Sequence, residues 1–171
     1  MDRDSFIYAM RAVATPVTIV CTNGALGRHG ATVSAMCSVS ADPPSLLVCL
    51  NSKSSIVRFV EENGAFSVNL ISEGQSRLAR AFAGQQDALC QRTFATGSWF
   101  DGPLELPTLG GASAVFYCLV KQCYQHSTHR IVIGRVVGAV RSDDIPLTYY
   151  DGVFCQLGLP EPTVSATSLA G

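Results

Sequence analysis

Gly30-Ala-Thr-Val-Ser-Ala-Met-Cys-Ser-Val-Ser-Ala-Asp-Pro-Pro-Ser-Leu-Leu-Val-Cys-Leu-Asn51 is the stretch on which the fold turns. It reads as two strands with a functional corner between them. Small residues (Ala31, Thr32, Ser34, Ala35) run past Val33 and Met36 into Ser38-Val-Ser40. Pro43-Pro44 then interrupts the backbone ladder, because neither residue donates an N–H and each fixes its own φ. Ser45–Leu50 resumes as a short apolar run, the pattern of a strand buried on both faces. Strands in a packed interior normally carry bulky side chains. A row of small ones leaves room for a flat ligand to approach the backbone.

Working outward, Ser5–Ala14 is expected to be a short helix with Phe6, Met10 and Ala14 on one face. Val17–Thr22 is a β-branched strand ending at the turn Asn23-Gly24. Ser54–Glu62 reads as a helix stopped by Asn63-Gly64. Phe66, Val68 and Leu70 alternate with polar residues in a strand. Ser72-Glu-Gly-Gln75 has capping-box spacing and opens a helix carrying Leu78 and Phe82. Gln85–Pro107 is a long irregular segment containing Trp99-Phe100, read as a lid or, in preference, a dimer-packing anchor. Ala112–Tyr124 and Ile131–Val140 are long strands. Pro146–Tyr150 and Val153–Leu157 close a hairpin about Asp151-Gly152. The predicted fold is mostly β, an antiparallel barrel with two or three short helices, over residues 1–158. Residues 159–171, rich in Pro, Ser, Thr and Ala, are expected to be a disordered tail.

The 171 residues suit one domain. Hydrophobic residues make up 47% and charged residues only 15%, against the usual charged share of about a quarter. Too few charges remain to cover a monomer, which predicts a homodimer. The net charge is −1 with no basic cluster, so nucleic acid is not the expected partner. No apolar run is long enough to span a membrane, and the first 20 residues carry no signal-peptide pattern. Seven cysteines without Cys-x-x-Cys spacing argue against zinc and predict buried free thiols in a reducing cytoplasm.

Gly24, Gly27 and Gly30 do not make a dinucleotide-binding loop before a helix, and there is no Walker-type lysine loop, so a Rossmann unit is excluded. Asn51-Ser-Lys-Ser-Ser55 joins a buried strand to a helix start. It is either an anion site, with free N–H groups, hydroxyls and Lys53 converging on a phosphate, or a plain serine N-cap. His29 is expected to be solvated in a turn. His129, before the strand Ile131–Val140, is the histidine expected to face a ligand mouth. Of Tyr149 and Tyr150, alternation sends one to the core and the other to a site.

Read in order, these pieces resemble a known family. They are Thr32-Val-Ser-Ala35, Ser38-Val-Ser-Ala-Asp-Pro-Pro44, Leu47-Val-Cys-Leu-Asn51, Ser54-Ser55, Phe66-Ser-Val-Asn-Leu70, Leu78-Ala79 and Ala81-Phe-Ala83. Trp99, Pro107-x-Leu109, Thr128-His129, Ile133-Gly-Arg-Val136 and Pro146-Leu-x-Tyr-Tyr150 follow. From about Phe6 to Leu157 the chain resembles the short-chain flavin reductases, partners of two-component flavin monooxygenases. The resemblance implies a split β-barrel homodimer that binds FMN or FAD at the subunit interface and uses NADH or NADPH. It places Ala31, Thr32, Val33, Ser34, Ala35 and Met36 along the isoalloxazine. Cys49, Leu50, Asn51, Ser54 and Ser55 would hold ribityl and phosphate, Phe82-Ala83 would close over the flavin, and His129 would lie by the nicotinamide. Tyr149 joins the flavin-binding set.

Two departures stand out. The chain has Gln91-Arg92-Thr93-Phe94 where the family usually has Asp/Glu-Arg-Phe, so no role is carried over to Arg92. It has Thr128-His129 where Gly-Asp-His is commoner, which resembles the 4-hydroxyphenylacetate-hydroxylase reductase and pyrimidine-utilisation branches. The implied function is hydride transfer from NAD(P)H to bound flavin, with electrons passed to an oxygenase. The alternatives are a reductase of a bulky acceptor such as a cob(II)alamin-type corrin, or a flavin- or haem-binding barrel without turnover.

Overall fold

β-branched and small residues lay down the first hairpin, Thr18–Thr22 (β2) against His29–Val33 (β3), with Thr15–Pro16 (β1) just before it. The structure, a computed structural model, describes residues 1–83 and 94–158. Met36–Ala41 (β4) and Pro44–Asn51 (β5) form a second hairpin. Ala65–Leu70 (β6) is a central strand. Trp99–Asp101 (β7) and Pro107–Leu109 (β8) make a small two-stranded ribbon. The longest hairpin joins Ala114–His126 (β9) to His129–Arg141 (β10). Thr148–Tyr150 (β11) and Val153–Cys155 (β12) turn about Asp151-Gly152 and pair with β1 in a separate sheet. The helices are Arg3–Met10 (α1), Ile56–Asn63 (α2) and Ser76–Phe82 (α3).

The main sheet is antiparallel, in the order β3-β2-β6-β9-β10-β5-β4. Its two end strands, β3 and β4, are consecutive in the chain, joined by Ser34-Ala35, yet do not pair with each other. The sheet is thus a split barrel with its seam at that corner. Two sequence expectations need correction here. The Gly30–Asn51 stretch is three strands, and its functional corner is Ser34-Ala35. Pro44 does not break the ladder but begins β5 opposite Ala41, leaving Asp42-Pro43 as the turn. An N–H-free residue is tolerated at a strand's first position.

β5 also departs from the both-faces-buried reading. Leu46, Val48 and Leu50 are buried, whereas Leu47 and Cys49 are only half-buried. The reason is layering: one side of β5 meets the core beneath α2, and no layer among the described residues covers the other. β6 shows the opposite case. Phe66 and Val68 enter one core with Val20, Val48, Val60 and Val132, while the other face meets a second core built from Ile19, Ile71, Leu78, Phe82 and Leu109. Its polar residues are therefore buried too and must be satisfied internally. Ser67 Oγ donates to Pro107 O at 2.6 Å, and Asn69 Oδ1 accepts from Leu109 N at 2.9 Å.

Local signals hold well around the helices. Gly64 caps α2 at φ +71, the left-handed conformation that favours glycine. Ser72 and Gln75 form the reciprocal capping box before α3. α1 is shorter than the Ser5–Ala14 helix expected. It starts two residues earlier, where Asp2 accepts from Ser5 N at 2.9 Å, and buries none of its residues. The expected tail 159–171, together with Cys90 and Arg92, lies outside the described residues. All six described cysteines are free, but only Cys21 and Cys118 are buried. No helix among the described residues is long and apolar enough to cross a membrane.

Candidate functional site

The open seam between β3 and β4 is flanked by two cavities that share Thr32 and Ser34. The first, about 500 Å³, is lined by His29 through Ala35, by Cys49, Leu50 and Asn51, by Lys53, Ser54 and Ile56, and by Phe82 and His129. The second, about 570 Å³, is lined by Val17, Thr32, Ser34, Ala79, Arg80, Ala83, Tyr149 and the 152–154 turn and strand.

β3 supplies the wall common to both. Thr32 Oγ1 donates to Ala79 O at 2.7 Å, which ties the strand to α3 and leaves the small residues around it to shape the surface. Behind the wall stands Phe82, 1% exposed, against Phe94 and Trp99 at centroid distances of 5.2 and 5.4 Å. Glycine at position 30 makes this packing feasible: a Cβ there would lie 2.8 Å from the Phe82 ring. Phe82 is thus part of a fixed wall. Trp99 packs within this chain, against Phe82 and Phe94.

At the far end of the first cavity β5 gives way to α2. Asn51 organises the turn: its Oδ1 accepts from Lys53 N at 3.0 Å and its carbonyl from Ser54 N at 2.9 Å. β10 brings His129 alongside, since His129 and Asn51 are register partners and Ser52 N donates to Thr128 O at 2.9 Å. The His129 ring is exposed, with Nδ1 2.9 Å from Thr128 Oγ1. Cys49 N donates to Ala35 O at 2.9 Å, stitching the seam at one point. Burial, and then the neighbouring Cys37, raise the Cys49 thiol above its ordinary range, so it lines the cavity as a neutral group.

Most of the residues picked from sequence therefore meet around one cavity: Ala31, Thr32, Val33, Ser34, Ala35, Cys49, Leu50, Asn51, Ser54 and His129, with Phe82 behind them. Ala83 and Tyr149 line the second cavity instead. Met36 lines neither, facing a small apolar recess with Leu46, Phe116 and Val136. Ser55 stands one step back, bonded to His29. His29 was read as solvated and is in fact 2% exposed, a β3 residue opposite Thr22 with Nε2 2.8 Å from Ser55 Oγ. The glycines on either side of it mimic a loop, and only the continuation of the β3 register could have revealed it.

Residues 10–158 match the flavin reductase like domain. This chain belongs to the flavin reductase family. A curated FMN reductase (NADH) RutF from Cronobacter turicensis is 36% identical over 160 residues, covering 93% of this chain and 95% of the relative. Among solved structures, a flavin reductase of Haemophilus somnus superposes with a TM-score of 0.86 at 32% identity, covering 92% of this chain and all of that one. BorF, the flavin reductase component of a bacterial two-component tryptophan halogenase, superposes at 0.83 with 30% identity, covering 91% and 98%. As a flavin reductase family member, the chain carries a cavity with a small-residue wall, a cation at one end and, among the described residues of its lining, no carboxylate. That arrangement suits binding and orienting planar, anionic molecules.

Proposed function

We propose that the first cavity holds FMN or FAD and that the chain reduces it with NADH or NADPH for an oxygenase partner. One observation carries the reading: a small-residue strip leads to a helix start with Lys53 and Ser54, within a single cavity of a flavin reductase family chain. The residues fit a phosphorylated flavin. The β3–β4 corner offers backbone donors and no bulky side chain at Ala31, Ser34 or Ala35, and the Asn51–Ser55 turn faces the α2 N-terminus, which favours anions. When bound, the flavin supplies the acceptor for a hydride from the nicotinamide.

The chain's own part is orientation and charge. Backbone donors along Ala31–Ala35 would face the ring's polar edge, where negative charge accumulates on reduction. Lys53, Ser54 and Ser55 would hold the phosphate. His129, exposed at the mouth beside Asn51, would position the nicotinamide. The second cavity adjoins the first across Thr32 and Ser34, and there Ala83 and Tyr149 would flank the flavin from the side away from His129. No residue is asked to move a proton.

Supporting a homodimer is the uncovered face of β5 and its neighbours. Leu47 and Cys49 share that face with Ile131 and Ile133 by register, and with exposed Cys37 and Tyr124. An apolar patch of this kind on a sheet calls for a second copy. Free thiols suit a reducing compartment, the cytoplasm.

The test is stopped-flow oxidation of NADH and NADPH with FMN, FAD and cob(II)alamin as separate acceptors. Fast turnover with a flavin is expected, and equal slow rates with all three acceptors overturn the proposal. His129→Ala should raise the KM for the pyridine nucleotide and cut kcat/KM by roughly tenfold or more, the scale of one positioning contact. Unchanged kinetics would remove His129 from the site.

A further inference from the structure

His29 begins β3 with its ring 2% exposed and its Nε2 2.8 Å from Ser55 Oγ. Phe59, one turn further along α2, lies against the ring at 4.5 Å between centroids. Ser55 occupies the N-cap position of α2 but makes no side-chain bond to the helix's own amides. Its hydroxyl is committed to His29 instead. It stands between Ser54 and Ile56, both of which line the first cavity. The other end of α2 is fastened in the same way: Asn63 Oδ1 accepts from Leu26 N at 3.1 Å, and its Nδ2 donates to Thr22 Oγ1 and Gly27 O, each at 3.2 Å. The helix is thus tied at both ends to the β2–β3 hairpin.

We infer that His29 is a positioning residue for the flavin phosphate, acting through Ser55 so that the chain prefers phosphorylated flavins to riboflavin. The inference rests on the flavin reading above. A hydroxyl has one proton and two lone pairs. If Ser55 gave that proton to His29, it would have only lone pairs to offer an anion at the start of α2, and these would repel it. With His29 Nε2–H donating to Ser55 Oγ, the Ser55 proton is left for a phosphate oxygen, and the first bond polarises the hydroxyl into a better donor. Hydrogen bonds to a charged acceptor shielded from water are the strong ones. The tie also sets how far the phosphate turn stands from the β3 wall, and hence phosphate from ring.

Fluorescence titration of FMN and of riboflavin tests this on the full chain and its His29→Ala, His29→Gln and Ser55→Ala variants. His29→Ala and Ser55→Ala should each weaken FMN roughly tenfold or more, the effect of one hydrogen bond to a charged group, and leave riboflavin affinity unchanged. His29→Gln, whose amide N–H points the same way, should restore most of the FMN affinity. The double variant should be no weaker than either single one, because both act through one contact. Equal weakening of FMN and riboflavin, or no weakening of either, overturns the inference. Should His29→Ala fail to fold, Ser55→Ala decides alone: an unchanged FMN-to-riboflavin ratio overturns the inference. A wild-type chain that binds neither flavin overturns the flavin reading itself, a result separable from the others.

Discussion

A methyl group at position 30 would lie 2.8 Å from the Phe82 ring and 3.2 Å from Cys21 Sγ. Both neighbours are buried, so neither can swing into solvent. Gly30→Ala should therefore cost about 1–3 kcal/mol as an overpacked core site and push the β3 wall outward. The expected outcome is a lower Tm in thermal unfolding together with weaker flavin binding, and an unchanged Tm would show that Phe82 can yield. The same residues show where sequence reading reaches and where it stops. Small side chains at Ala31, Ser34 and Ala35 announce a ligand wall because the absence of bulk is itself local information. His29 gives no such sign. Its burial is created by Ser55, 26 residues downstream, and by Phe59, contacts that exist only after α2 has folded back. Tyr149, one of the two tyrosines of which alternation sends one to a site, lines the second cavity, and the presence of two cavities in place of one is a product of tertiary packing.

At the level of elements, α2 shows how a short helix is held in register. Its eight residues are too few for stability in isolation, and its place depends on apolar Ile56, Val57 and Val60 and on its two tethers. Asn63 alone makes three contacts to the β2–β3 hairpin. Asn63→Ala should destabilise the fold by about 2 kcal/mol, since Leu26 N loses its partner, or roughly 4–8 °C in Tm for a chain of this size. Calorimetry with and without FMN would check it, and a drop below about 1 °C would mean water replaces the side chain without loss. Asn63-Gly64 and the Ser72–Gln75 box were legible because their chemistry closes within four residues. The β3–β4–β5 run was harder. Two prolines look alike in sequence, but Pro43 lies in the turn and Pro44 in the strand, and the choice is made by pairing with Ala41.

For the whole molecule, the telling feature is the apolar face left open on β5 and β10. The low share of charge predicts a partner, and the homodimer proposed above would use this face. Leu47→Glu should place a carboxylate in the middle of that face. Sedimentation at micromolar concentration should show a dimer for the natural chain and a monomer for the variant, with flavin affinity falling alongside. A variant that stays dimeric would place the interface elsewhere. The seam at Ser34-Ala35 has a larger consequence. β3 and β4 are the two ends of the sheet order, and the first cavity lies where β3, the Ser34-Ala35 corner and β5 converge beside that gap. A ligand seated there would work as a keystone, holding together strands that the hydrogen-bond ladder does not join directly. Binding at a hundredfold excess over Kd adds about 2.7 kcal/mol to folding, so the cofactor supply of the cell would also set the lifetime of the folded chain.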